Sequence, residues 1–158
     1  MKIYISSGDG SGPTEISAFD LALVHAGIAN HNLIYLSSVL PPKSEIIETQ
    51  QPPTHGDWGD RLYVVMAQHR RSSIGESWAG IGWIQQEDGR GLLVEHEGES
   101  EAGVREAIEN SLQALARNRD MKFGPINMKL CGAKSHGQPV CALVTAVFES
   151  EPWTARTT

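Results

Sequence analysis

Two glutamates separated by one residue are the first side chains in this sequence whose spacing suggests chemistry. Glu95 and Glu97 flank His96 in the segment Gly91–Glu97, which is predicted to be a strand. The two-residue period of a strand puts both carboxylates on one face with Leu93, and His96 on the other. Neighbouring carboxylates raise the pKa of one of them, which makes a general acid available at neutral pH. A solvated edge strand is the main alternative interpretation, and a Glu-His-Glu metal site is disfavoured because the outer side chains point away from the middle one.

Asp20 is a carboxylate within a predicted helix, Thr14–His25. It lies four residues after Ile16 and four before Val24, so it falls inside the apolar stripe of that helix. An unpaired carboxylate in such a place is unfavourable. Asp20 therefore needs an internal donor, a neighbouring subunit or a cationic ligand as its partner. A capping or internally paired aspartate is an equally open interpretation.

A pair of serines, Ser37-Ser38, ends the short apolar strand predicted at Asn32–Leu36. The double proline Pro41-Pro42 prevents the strand from continuing. Composition alone predicts a strand that ends in a turn, because serine pairs commonly cap turns. Nothing in the residue types by themselves indicates that the bond between the serines breaks.

The glycine-rich segment Gly8–Gly12 lies between the predicted strand Lys2–Ser6 and the first helix. A phosphate cradle at the helix N-terminus is one interpretation of this pattern. The segment lacks Gly-Lys-Ser/Thr, and Asp9 would repel a phosphate. It is therefore predicted to be a flexible turn.

The overall composition limits the class of protein. The chain has 158 residues, which suits a single domain, and a formal net charge of −6. This charge argues against a nucleic-acid binder that works by counterion release. No apolar run is long enough to span a membrane, and two cysteines do not make a disulfide framework. We expect a cytosolic protein without a nucleic-acid or membrane partner.

The predicted elements follow the order strand, helix, strands, then strand, helix, strands. A long irregular segment, Lys43–Asp60, separates the two groups, and a second helix is predicted at Ser100–Arg119 with a serine N-cap. Two βαββ-like halves suggest a layered sandwich rather than a wound parallel sheet. The remaining strands are predicted at Arg61–Gln68, Ser77–Gln86, Asn127–Lys134 and Val140–Phe148.

Several segments, in this order along the chain, resemble the pyruvoyl-dependent arginine decarboxylases. The resemblance implies an α+β fold, a four-layer αββα sandwich, that assembles as a homotrimer of αβ protomers with active sites between subunits. It also implies one domain over residues 1–158. The matching segments are Ser17-Ala18-Phe19-Asp20-Leu21-Ala22-Leu23, Ala26-Gly27-Ile28, Asn32-Leu33-Ile34, Ser37-Ser38-Val39-Leu40-Pro41-Pro42 and Gly91-Leu92-Leu93-Val94-Glu95-His96-Glu97-Gly98.

The same resemblance implies a self-processing enzyme. The chain would cleave itself between Ser37 and Ser38 into a β fragment, 1–37, and an α fragment, 38–158. Ser38 would become a covalent pyruvoyl group, which is the implied cofactor. A Schiff base between this group and L-arginine would allow loss of CO2 and release of agmatine.

The resemblance also implies roles for individual residues, and it implies a reaction without a metal cofactor. Ser38 corresponds to the pyruvoyl precursor, Glu95 to the proton donor, and Asn32 to the residue for self-processing and orientation. Asp20 and Ser37 correspond to substrate-binding residues, with Asp20 receiving the guanidinium group. Two alternatives stay open. One is a pyruvoyl enzyme that acts on another amino acid, and the other is an uncleaved, non-catalytic ligand-binding or assembly module of the same fold.

Overall fold

The structure is a computed structural model that describes residues 1–54 and 57–153. Within these residues the chain forms nine strands and two helices. In chain order they are β1 (Lys2–Ser11), α1 (Glu15–His25), β2 (Asn32–Tyr35), β3 (Val39–Leu40), β4 (Glu45–Glu48), β5 (Arg61–Arg71), β6 (Gly75–Gln85), β7 (Gly91–Gly98), α2 (Glu101–Asn118), β8 (Asn127–Ser135) and β9 (Val140–Glu151).

The strands form two sheets. The five-stranded sheet has the order β2-β5-β9-β1-β4, and the four-stranded sheet has the order β3-β7-β6-β8. Each half of the chain contributes strands to both sheets. Neighbouring strands are antiparallel except for β1 with β4 and β2 with β5, which are parallel.

Three apolar clusters define the layers. The first lies between the two sheets and includes Ile5 and Ile81. The second lies between α1 and the five-stranded sheet and includes Ala22, and the third lies between α2 and the four-stranded sheet and includes Ile108. The chain therefore has the predicted α+β class and the predicted four layers, helix, sheet, sheet and helix.

Both helices begin at capping side chains. Thr14 accepts a hydrogen bond from the backbone N–H of Ser17, and the Ser17 side chain accepts one from the backbone of Thr14, which completes a capping box. Ser100 accepts a hydrogen bond from the Gly103 N–H at 3.1 Å, so the predicted serine N-cap is confirmed.

The prediction of a turn at Gly8–Gly12 is wrong, because β1 continues through most of this segment and pairs with β9. A Cβ atom on Gly8 would collide with the carbonyl oxygen of Ala22, and one on Gly10 with that of Ala18. The glycines therefore allow α1 to pack directly on the backbone of β1. The phosphate-cradle alternative is also wrong, since no loop precedes the helix at these positions.

Helix α1 packs through its small residues rather than through its large ones. Ala18 and Ala22 are fully buried against the five-stranded sheet, whereas Ile16 is 64% exposed and Val24 is 50% exposed. Asp20 lies between the two on the same exposed stripe. The predicted apolar stripe exists, but it faces away from the core of this chain, because the glycines of β1 bring the helix too close for large side chains. Asp20 is therefore exposed to solvent in the single chain, rather than buried against the five-stranded sheet.

The segment Lys43–Asp60 is more ordered than predicted. It contains β4, which extends the five-stranded sheet by pairing with β1 from Lys2↔Glu45 to Ile5↔Glu48.

No helix of the described part of the chain has the length and apolar character needed to cross a membrane.

We predict that Gly10→Ala destabilises the fold, because its Cβ would meet backbone atoms of α1 that cannot move aside. The expected loss is about 3 kcal/mol, which for a chain of this size lowers Tm by roughly 10 °C in a thermal unfolding experiment. Gly98→Ala is the matched control, since its nearest neighbour, Val104 Cγ2, lies at an ordinary 3.5 Å. Equal Tm values for the two variants would contradict the packing described for α1.

Candidate active site

The serine pair lies where the chain crosses from one sheet to the other. The Leu36 N–H still donates to the Val64 carbonyl in the five-stranded sheet, at 2.9 Å. The Ser38 carbonyl already accepts from the Leu93 N–H in the four-stranded sheet, also at 2.9 Å. Ser37 is therefore the only residue between the two anchored positions, and the backbone has little freedom to relax there.

The backbone of Ser38 is strained. Its φ is 57°, in the left-handed region that suits glycine and, to a smaller extent, asparagine and aspartate. For a serine this conformation is unfavourable by about 1 kcal/mol. Such strain persists only where the surroundings enforce it, and the hydrogen bonds to both sheets provide that constraint.

Glu95 contacts the strained serine directly. The Ser38 Oγ donates a hydrogen bond to Glu95 Oε2 at 2.8 Å, although the two residues are 57 positions apart. The contact arises because Val39 pairs with Leu92, which sets Ser38 beside β7. Leu93 lies in the cluster between the sheets, so the predicted alternation of β7 is confirmed, with Glu95 on that same side.

His96 faces α2 on the opposite side of β7. Its Nε2 lies 2.7 Å from the Oγ of Ser111, and both side chains are half-buried. A cavity of about 410 Å³ lies beside this pair and is also lined by Ser38 and Glu95. Ser111 is not among the site residues predicted from the sequence. The available signal was a polar residue within the apolar stripe of the second predicted helix.

Two further predicted residues lie on the surface, away from the contact between Ser38 and Glu95. Asp20 is exposed on α1, which covers the outer side of the five-stranded sheet. Asn32 begins β2 and is exposed, and its side-chain amide donates to the Gly59 carbonyl. A single chain therefore joins Ser38 with Glu95, whereas Asp20 and Asn32 lie elsewhere on its surface.

Arg70, on β5, contacts α1, the helix that carries Asp20. Its guanidinium carbon lies 4.1 Å from the centre of the Phe19 ring, which is a cation–π contact. Burial raises the pKa of the Tyr35 phenol, Arg70 opposes this shift, and Glu97 adds to it. The charges of Arg70 and Glu97 therefore act in opposite directions on the pKa of the phenol at the end of β2.

The cysteines do not form a reactive centre. Both Cys131 and Cys141 are free, and burial raises the pKa of each thiol, that of Cys141 to about 12. They are therefore protonated thiols at neutral pH. Across residues 1–54 and 57–153, no group of three or more His, Cys, Asp or Glu side chains is placed to hold a metal ion.

Several proteins similar in sequence to this chain share one name. Pyruvoyl-dependent arginine decarboxylases of Halobacterium salinarum and Picrophilus torridus are 36% and 35% identical, over 60% and 65% of this chain. The matches span 59% and 60% of those relatives' own lengths. The Methanopyrus kandleri protein of the same name is 29% identical over 92% of this chain and 94% of its own.

One solved structure and one family description complete the comparison. A pyruvoyl-dependent histidine decarboxylase at pH 8 superimposes with a TM-score of 0.46 and 16% identity, over 63% of this chain and 54% of that chain. The family description for pyruvoyl-dependent arginine decarboxylase matches residues 2–151, which is nearly the whole sequence. The chain therefore belongs to the pyruvoyl-dependent arginine decarboxylase family.

Proposed function

We propose that this chain is a self-processing decarboxylase that converts L-arginine to agmatine and CO2 with a pyruvoyl group formed from Ser38. The observation that carries the proposal is the strained Ser38, held at the crossing between the sheets with its hydroxyl on Glu95. The names of the relatives support arginine as the substrate.

Cleavage uses the two serines alone. The Ser38 Oγ attacks the Ser37 carbonyl carbon, the C–N bond breaks, and the amide becomes an ester. Loss of the proton on Cα of residue 38 and rupture of its Cβ–Oγ bond release Ser37 as a new carboxylate. The unsaturated residue left at position 38 then takes up water and loses ammonia, which yields the ketone. Relief of the left-handed strain at Ser38 favours the first step.

The residues around position 38 fit a pyruvoyl group. The hydrogen bond from the Leu93 N–H to the Ser38 carbonyl, 2.9 Å long, lies on the fragment side that keeps residue 38, so cleavage need not displace it. A pyruvoyl group supplies a ketone that condenses with the substrate amine and accepts an electron pair when CO2 leaves. No metal is required for this chemistry.

Glu95 is the proposed proton donor. Its Oε2 lies 2.8 Å from the Ser38 Oγ, so its carboxyl group is within reach of a substrate attached at residue 38. After CO2 leaves, the carbon that carried it needs one proton, and Glu95 is positioned to deliver it. Glu97 projects from the same face of β7 two residues later.

We further propose a homotrimer of αβ protomers in which Asp20 of one molecule completes the site of another. The exposed Ile16 and Val24 on either side of Asp20 support this assembly, because adjacent exposed apolar side chains are typical of interfaces. Asp20 would bind the guanidinium group through two hydrogen bonds. In this assembly Ser37 contributes its new carboxylate to the substrate, and Asn32 orients the groups for cleavage.

Ser38→Ala removes the attacking hydroxyl, so this variant is expected to remain a single chain of 17.2 kDa without decarboxylase activity. The measurement is the intact mass of the purified variant together with agmatine formation. Ser37→Ala is the matched control, since its hydroxyl takes no part in the attack, and it should still give two fragments. A cleaved and active Ser38→Ala would exclude the proposed precursor.

Glu95→Gln keeps the shape of the side chain and removes its acid function. Cleavage should proceed to completion by mass spectrometry, while kcat for CO2 release falls by about 100-fold or more. Glu97→Gln, on the same face of the strand, should have a much smaller effect on kcat. If Glu95→Gln decarboxylates arginine at the normal rate, another group donates the proton.

Asp20→Asn tests the substrate. The loss of one charged partner should raise KM for arginine about tenfold, because an amide cannot replace a carboxylate opposite a guanidinium. Citrulline is the matched neutral substrate analogue, and inhibition by it should hardly change. If KM for arginine is unaffected, Asp20 does not bind the guanidinium and the preference for arginine has another origin.

A further inference from the structure

A cavity of about 410 Å³, wide open to solvent, is lined by residues of β7 and α2 and by Ser38. Its polar lining comes from Ser38, Glu95, His96 and Ser111. The cleavage reaction described above uses neither His96 nor Ser111. The cavity therefore contains a hydrogen-bonding pair, next to the place where a substrate is attached, that has no role so far.

The pair of His96 and Ser111 has one hydrogen-bond donor that the bond between them does not use. A neutral imidazole carries one N–H and a serine carries one O–H, which gives two protons. The single hydrogen bond between His96 Nε2 and Ser111 Oγ, 2.7 Å long, uses one of them. Whichever group donates, the other proton remains on the Ser111 hydroxyl or on His96 Nδ1 and is available to an acceptor.

The remaining walls of the cavity are apolar, formed by Leu93, Val94, Ala114 and Leu115. Such walls do not suit the guanidinium group of a substrate, which pairs best with a carboxylate through two hydrogen bonds. Among the described residues that line the cavity, Glu95 is the only carboxylate, and it serves as the proton donor. An acceptor that becomes neutral during the reaction fits these walls better than a permanent cation.

We propose that this cavity is the subsite for the α-carboxylate of the amino acid, and that His96 and Ser111 orient that carboxylate. This inference rests on the proposed function. In the reaction the bond between Cα and the carboxylate carbon breaks, its electron pair passes towards residue 38, and CO2 leaves into the cavity. Glu95 then gives its proton to Cα. The apolar walls favour neutral CO2 over the charged carboxylate, which assists bond breaking.

Arginine and agmatine test the subsite, because they differ only by the carboxylate. Binding is measured by calorimetry on the processed Glu95→Gln enzyme, which is expected to be cleaved but too slow to consume arginine. Adding Ser111→Ala should weaken arginine binding about tenfold and change agmatine binding by less than about twofold. Ser73→Ala, at an exposed serine in the turn between β5 and β6, is the matched control and should alter neither ligand.

Equal weakening of both ligands, or no change in either, would overturn the carboxylate subsite. If Ser111→Ala does not fold, His96→Phe, which removes the other member of the pair, is measured with the same two ligands and decides the question by the same criterion. Intact mass and agmatine production of the wild type separate this inference from the proposed function. If the wild type is cleaved and active but Ser111→Ala changes arginine and agmatine binding equally, the subsite alone is overturned. If the wild type is unbroken and inactive, both the subsite and the proposed function are overturned.

Discussion

The geometry of the site depends on a crossing of one residue between two sheets. Leu36 is hydrogen-bonded to the five-stranded sheet and Ser38 to the four-stranded sheet, so Ser37 alone joins the two sheets. The left-handed backbone of Ser38 follows from that constraint. The same crossing sets Ser38 beside β7, where Glu95 accepts a hydrogen bond from the Ser38 hydroxyl. The strain at Ser38, beside the proposed cleavage site, and its contact with the proposed proton donor thus have a single structural origin.

Much of the fold was predictable, because local signals fix both helices and most strands. The alternation of β7 and the serine cap at Ser100 are examples. The glycine segment Gly8–Gly12 was misread, because glycines typical of turns here serve close packing of a helix on a strand. The outward face of α1 was also missed. Helical periodicity shows that Ile16, Asp20 and Val24 share a face, but not whether that face meets the core or a neighbouring molecule.

The site was predictable only in part. Residue types and family resemblance indicated Ser38 and Glu95, but their contact spans 57 positions and follows from strand register, which a sequence pattern alone does not give. Ser111 was missed because its partner, His96, comes from a different element. Asp20 and Asn32 lie on the surface of the single chain, so its structure does not test the roles that the resemblance implies for them.

The most direct test is the mass of the purified wild-type protein before and after treatment with hydroxylamine. Self-processing predicts two fragments divided between Ser37 and Ser38, with a single hydroxylamine adduct on the ketone at the start of the larger fragment. One unbroken chain that forms agmatine from arginine and gives no adduct would contradict the proposed pyruvoyl chemistry.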